Sequence, residues 1–237
     1  MKEKLIYRPK KSLDVALNAV VNGILTFLAI ALILACVFFG THVYYNVKGT
    51  SMEPNIHQAT SVYAGDACYV AKGVEYDYGD IIVAEKDDTK DVVKRVIAMS
   101  GDKVGFYYNS ESGFYEILLV KPGAEPKILE ENYLFERVSA AEAQVMRANN
   151  AITYSKFIQL QGLEELEFEG QIVNVLSVPK NHLFLLGDNR ATSIDSASYG
   201  TVHESKVVGR VVIVTKQGTL PVWEMLAEAI KRLLFIR

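Results

Sequence analysis

From Val15 to Thr41 the chain carries no charged side chain for 27 residues, and this run, which includes "GILTFLAIALILACVFFG", constrains the fold more than any other stretch. A helix rises ~1.5 Å per residue, so about twenty such residues cross the hydrocarbon core of a bilayer. A cleavable leader has a shorter apolar region, ~7–15 residues, followed by a small-residue cleavage site. The run is too long and lacks that site, so it reads as an anchor. The fourteen residues before it, "MKEKLIYRPKKSLD", hold five Lys or Arg against two acids. Positive flanks stay in the cytoplasm, which predicts a single pass with a cytoplasmic N-terminus and an extracytoplasmic remainder. The lipid bilayer is the first partner this implies.

Beyond the span the apolar runs are short and strand-like: "ACYVA", "DIIVAE", "DVVKRVIAM", "GFYY", "YEILLV", "KFIQL", "QIVNVLSV", "HLFLLG" and "VVGRVVIV". Turn residues separate them with little helical periodicity, so the expected fold is mainly β and antiparallel. One exception is "SAAEAQVMRA", where Ser139 and Glu142 have the spacing of a capping box before a short helix. After Pro221 the C-terminus looks helical and amphipathic, with Glu224, Glu228, Lys231, Arg232 and Arg237 arguing against a second span. With Trp223 and Phe235 it is placed equally well on the membrane or against the domain.

A net charge of −3 and a pI near 5.9 provide no basic stripe, which argues against nucleic acid as a partner. Cys36 lies inside the span and Cys68 outside it, so no disulfide is expected and Cys68 reads as a buried apolar residue. The four histidines, His42, His57, His182 and His203, show no metal-ligand spacing, and no metal site is predicted. Nothing in the sequence fixes an oligomeric state.

Three stretches carry candidate chemistry. The first, "VKGTSMEPNI", begins six residues after the span and presents Ser51 in a turn. In the second, "DVVKRVIAMSGD", strand alternation sets Lys94 and Arg95 among branched apolar neighbours on opposite faces. Burial disfavours an ammonium, by up to ~3–5 pKa units, so Lys94 can become the neutral amine a general base must be. Arg95 stays charged and must pair with a carboxylate. The bland alternative is that both heads reach solvent at a strand edge. The third, "LFLLGDNRATSIDSASYG", runs from an apolar strand into a loop dense in Asp, Asn, Arg and Ser, the way a scaffold presents a site, although the same residues are ordinary turn formers.

Taken together and in this order behind an anchor, "SMEP", "KRVIAMSGD" and "GDNRATSIDS" resemble the type I signal peptidases, membrane-bound serine proteases with a Ser–Lys dyad. The likeness covers most of Val47 to Val214, includes "ENYL", and is poor between about Ser139 and Glu169. It implies that Ser51 is the nucleophile, Lys94 its general base and Ser193 the hydroxyl that orients the lysine. The backbone N–H of Ser51 is the implied oxyanion donor. Some members add a serine hydroxyl at the position of Gly49, absent here and adjacent to Thr50. Met52 is implied to line a shallow pocket for a small side chain, its alternative being a core position, and Pro54 to fix the turn that points Ser51 outward. Asp195 is expected to pair with Arg95 and Asp188 to brace the loop. Ala197 stands where arginine is usual, and Asn55 where threonine is.

Lysine in place of histidine marks the bacterial branch, and a Ser–His site through His57 is the dissenting reading. The resemblance further implies a barrel-like catalytic core at 42–105 and 175–218, interrupted by an inserted subdomain at 106–174. A basic tail at 1–14, the span at 15–41 and a terminal helix at 219–237 complete the expected organisation. The implied reaction needs no cofactor. It removes signal peptides from secretory preproteins at a bacterial cell membrane, after an Ala-x-Ala type site and through an acyl-enzyme. The alternative is a catalytically inactive relative that binds preproteins. A self-cleaving repressor is a further rival, disfavoured by the anchor and by the lack of a DNA-binding segment.

Overall fold

A computed structural model describes residues 11–87, 90–131 and 139–234, in two compact units. The first ten residues of the basic tail, residues 132–134 of "ENYL", and Phe235 and Arg237 lie outside the described residues.

One unit joins the anchor to the C-terminal helix. Helix α1 (Lys11–Thr41) carries the charge-free run. Its side chains from Val15 onward are overwhelmingly exposed, as an apolar solvent would require. Thr26 and Thr41 turn their hydroxyls back onto the carbonyls of Asn22 and Val37, at 2.8 and 2.7 Å, the pairing that polar groups in an apolar solvent would require. Helix α5 (Val222–Leu233) starts just past Pro221, where a proline suits a helix start, and packs on α1.

The other unit, His42–Pro221, is antiparallel β throughout its two sheets. The first sheet comprises β1 (His42–Asn46), β2 (Asp66–Ala71), β3 (Ile81–Asp87), β4 (Lys90–Ala98), β10 (His182–Leu186), β11 (Val202–His203) and β12 (Val207–Lys216). Its strand order is β1-β2-β12-β3-β4-β10-β11. Strand β4 therefore lies inside the sheet, with Lys94 opposite Ile82 and Arg95 between Ile81 and Leu186. Neither basic residue has an edge over which to reach water. The second sheet, in the order β7-β6-β5-β9-β8, uses β5 (Lys103–Asn109), β6 (Phe114–Val120), β7 (Lys127–Ile128), β8 (Leu163–Phe168) and β9 (Gln171–Ser177). Neither order closes on itself, so these are open sheets rather than a finished barrel.

Helix α2 (Ala140–Ala148) has the capping box its sequence announces: Ser139 accepts from the Glu142 N–H while Glu142 accepts from the Ser139 N–H. The run "KFIQL" is not a strand; it is the end of helix α3 (Asn150–Phe157) and the turn after it. Asn150, Thr153 and Phe157 are buried at helical spacing, and with two of the three polar the apolar count alone conceals the helix. Strands β1 and β8 escape the pattern for related reasons. The first follows the span without a turn, and "LEELEF" hides its alternation behind three glutamates on an edge strand.

Cys68 sits in β2 with no exposure, and burial pushes its thiol up to about 12. In a Cys36→Ser background, a thiol-directed reagent at pH 8 should therefore leave Cys68 unlabelled until denaturant unfolds the domain. Rapid labelling of the folded protein would contradict this packing.

Candidate active site

The turn after Val47 begins at a fixed point, because the Val47 N–H donates to the Asp66 carbonyl at 3.0 Å. Within it Glu53 N–H bonds Thr50 O at 3.1 Å and Ile56 N–H bonds Met52 O at 2.9 Å, and the Glu53–Pro54 peptide is cis. These bonds present Ser51, half-buried, to the middle of β4. The Ser51 hydroxyl oxygen lies 2.8 Å from Lys94 Nζ, which also donates to the Val93 carbonyl at 2.9 Å. Lys94 is only 3% exposed. Burial lowers its amine to about 8, against the opposing attraction of the Asp195 and Asp188 carboxylates. Once neutral, Nζ has a lone pair to accept the Ser51 proton, so nucleophile and base are in hydrogen-bond reach.

Arg95, on the other face of β4, is held by Asp188. The carboxylate accepts from Arg95 Nε at 2.8 Å and Nη2 at 2.5 Å, and from Asn55 Nδ2 at 2.8 Å. Arg95 Nη1 donates to the Gly79 carbonyl at 2.6 Å. The expected Arg95–Asp195 pair gives way to this arrangement. Asp195 instead accepts from the Gly187 N–H at 2.9 Å and caps helix α4 (Ser196–Tyr199) through the Ala197 N–H at 3.2 Å. Extended backbone at Asp195 turns its side chain along its own loop, leaving the guanidinium to Asp188.

The loop carrying Ser193 touches the nucleophile's backbone: the Asn189 N–H donates to the Ser51 carbonyl at 3.0 Å. Gly187 permits that approach, since a Cβ there would collide with Ser51 O and Ser193 Oγ. Ser193 is fully buried beside it, and its hydroxyl makes no hydrogen bond among the described residues, to Lys94 or to any other. Met52 is 1% exposed and packs with Val47, Ile56, Cys68, Val70 and Val83, so the structure puts it in the core. Thr50 Oγ1 lies 3.4 Å from Thr192 Oγ1, a further contact between the turn and the loop. His57 faces away from the serine: its Nδ1 lies 3.3 Å from Asp66 and its ring packs on Tyr63. A groove of about 360 Å³ opens beside the turn, between Glu53, Pro54 and Asn189 on one side and Ala141, Val145 and Met146 of α2 on the other.

Asn150, Thr153 and Lys156, which hold the loop through Arg190 and Ser193 of the third stretch, were not singled out from the sequence. Buried Arg190 donates to the Gly187 carbonyl at 3.1 Å and to Asn150 Oδ1 at 2.7 Å, and forms an ion pair with Glu131. Thr153 Oγ1 bonds the Arg190 carbonyl at 3.3 Å, and Lys156 Nζ bonds the Ser193 carbonyl at 3.0 Å. Asn150, Thr153 and Lys156 share one face of α3; their i, i+3, i+6 spacing was the available signal. Among the described residues no group of three or more His, Cys, Asp or Glu side chains is arranged to hold a metal.

Comparison with known proteins matches residues 17–216 to the family model described as signal peptidase, peptidase S26. Signal peptidase IB of Staphylococcus aureus strain COL is 26% identical over 167 residues, covering 70% of this chain and 74% of that protein. Signal peptidase I of Streptococcus pneumoniae serotype 4 is 28% identical over 211 residues, covering 83% and 94%. The crystal structure of a signal peptidase I from Enterococcus faecalis V583 aligns with a TM-score of 0.36 at 22% identity, over 58% of this chain and 97% of that one.

Removing one member of a buried ion pair strands its partner's charge and costs about 3–5 kcal/mol. Asp188→Ala should therefore destabilise the domain by about that amount in denaturant melts. A loss below about 1 kcal/mol would mean that Arg95 finds another counter-charge.

Proposed function

The chain belongs to the signal peptidase family, peptidase S26, and from that premise we propose that it cleaves signal peptides from translocated secretory preproteins by means of a Ser51–Lys94 dyad. The observation that carries this reading is the 2.8 Å contact between the Ser51 hydroxyl and an amine whose pKa is lowered to about 8. Neutral Lys94 takes the hydroxyl proton as Ser51 Oγ attacks the scissile carbonyl. The Ser51 N–H stabilises the oxyanion of the tetrahedral intermediate. Lys94 then returns the proton to the departing amine as the C–N bond breaks, leaving an acyl-enzyme. Water, deprotonated by the same amine, hydrolyses that ester and frees Ser51.

Ser193 orients the amine in this scheme. Its buried hydroxyl has unused bonding capacity, and leaving such a group unpaired costs ~1–3 kcal/mol, which a bond to Nζ would recover. The preprotein binds as an added strand with small side chains at −1 and −3, the preference behind an Ala-x-Ala site. Helix α1, whose Asp14–Thr41 stretch is long and apolar enough to cross a membrane, anchors the protein as a single pass. Its N-terminus is cytoplasmic and its catalytic domain lies on the outer face of a bacterial membrane. The basic tail, the core at 42–105 and 175–218, the insert at 106–174 and the terminal helix remain our proposed division of the chain.

Detergent-solubilised protein should cut a preprotein bearing an Ala-x-Ala site after the second alanine, whereas Ser51→Ala and Lys94→Met should lose at least 10³-fold in kcat. Because the neutral amine is the base, kcat should rise with pH through about 8. A wild-type protein that binds the preprotein without cutting it would establish the inactive-relative alternative.

The same lysine makes a stability prediction of definite sign. Its folded pKa lies below the ordinary lysine value of 10.5, so between about pH 8 and 10.5 the unfolded chain binds more protons and stability rises with pH. Below pH 8 the buried ammonium is a burden of about 3 kcal/mol, from ~1.36 kcal/mol per pKa unit. Lys94→Met should thus be inactive yet more resistant to denaturant than wild type at pH 7, with the advantage shrinking above pH 8. A variant both inactive and destabilised at pH 7 would contradict the assignment.

A further inference from the structure

We propose that α5 is a second membrane-attachment element, seated at headgroup level beside the anchor, with a stripe of Trp223, Ala227, Ile230 and Leu234 facing lipid. The inference rests on reading α1 as a span. Helix α5 has two different faces. Met225, Leu226, Ala229 and Arg232 are buried or half-buried at helical spacing, the pattern of the face packed on α1. Trp223, Ala227, Ile230 and Leu234 recur at i, i+4, i+7 and i+11, and all four are exposed; the Leu234 N–H still bonds the Ile230 carbonyl at 3.0 Å. An exposed apolar stripe opposite the packed face needs an occupant.

Position along α1 identifies it. At ~1.5 Å per residue, the 28 residues from Asp14 to Thr41 reach about 42 Å, beyond the ~30 Å of a hydrocarbon core. Every position of α1 from Asp14 to Ile30 is exposed. Its buried and half-buried positions, Ala31, Leu34, Ala35, Val37, Phe38 and Thr41, fall in the last eleven residues, so α5 packs there. That stretch is where the span emerges from the core. Helix α5 itself is too short to cross, at 12 residues, and carries Glu224, Glu228, Lys231 and Arg232, with Lys231 bonded to Glu228 at 2.6 Å. Charges on some faces and apolar side chains on another are the composition of an interfacial helix. Trp223, 81% exposed and the only tryptophan in the chain, stands at its start, and tryptophan favours the headgroup level.

That single tryptophan makes the test direct. The full chain is reconstituted into phosphatidylethanolamine–phosphatidylglycerol vesicles, and Trp223 emission is quenched with lipids spin-labelled near the headgroup or deep in the acyl chain, and with aqueous iodide. The shallow label should quench at least twofold more than the deep one, with iodide less effective than on free tryptophan. An Ile230→Glu/Leu234→Glu variant should lose at least half of that lipid quenching. Free access to iodide without lipid quenching would put the stripe in water and overturn the inference. Protection from all three quenchers would put a protein surface there, such as a second copy, and also overturn it. Stronger quenching by the deep label would mean core insertion and overturn it too. Protein that washes off the vesicles in alkaline carbonate would refute the span itself, a failure distinct from quenching that fails while the protein stays bound.

Discussion

The carboxylate of Asp188 is the contact on which the site depends. It is fully buried, and it accepts from the Arg95 guanidinium in β4 and from Asn55 in the turn that presents Ser51. One side chain thereby ties together three segments that are far apart in sequence. A buried guanidinium and a buried carboxylate each have a desolvation cost of several kcal/mol, so neither is tolerable without the other. The pairing specifies which loop meets which strand. With it in place, the Asn189 N–H reaches the Ser51 carbonyl and the serine hydroxyl comes to the lysine.

Lys94 follows a different logic from its neighbour. Arg95 keeps its charge and is compensated; Lys94 stands at the same depth, facing Ile82 across the sheet, and has no carboxylate bonded to its amine among the described contacts. Asp195 and Asp188 are near enough to act electrostatically, but desolvation outweighs them. The position of β4 inside its sheet enforces this, because an edge strand would have let the ammonium escape to water. Burying a lysine beside a hydroxyl is thermodynamically costly and chemically useful for the same reason: it favours the neutral amine.

Helix α3 is structurally bound to the loop that carries Ser193. From one face of α3, Asn150, Thr153 and Lys156 bond Arg190 and the carbonyls of Arg190 and Ser193, while Glu131 pairs with the Arg190 guanidinium. The loop is braced by Asp195, which accepts from the Gly187 and Ala197 N–H groups, and by the α3 lysine. Backbone carbonyls are the main targets, and a carbonyl asks only for a donor at the right distance, whatever the residue that supplies it.

By itself the sequence determined a helix long and apolar enough to cross a membrane, from an uninterrupted apolar run, and the mainly antiparallel domain, from short alternating strands. It also determined that Lys94 and Arg95 would sit among apolar neighbours on opposite faces of one strand, because strand period is local and invariant. Only the tertiary structure decided that Asp188 rather than Asp195 holds Arg95, and that Met52 joins the core. It alone turned "KFIQL" from an expected strand into the end of a bracing helix. The choice between two aspartates seven residues apart depends on where a loop's backbone turns, and the choice between core and pocket on what packs opposite. Both are set by contacts distant in sequence, for which no local pattern exists.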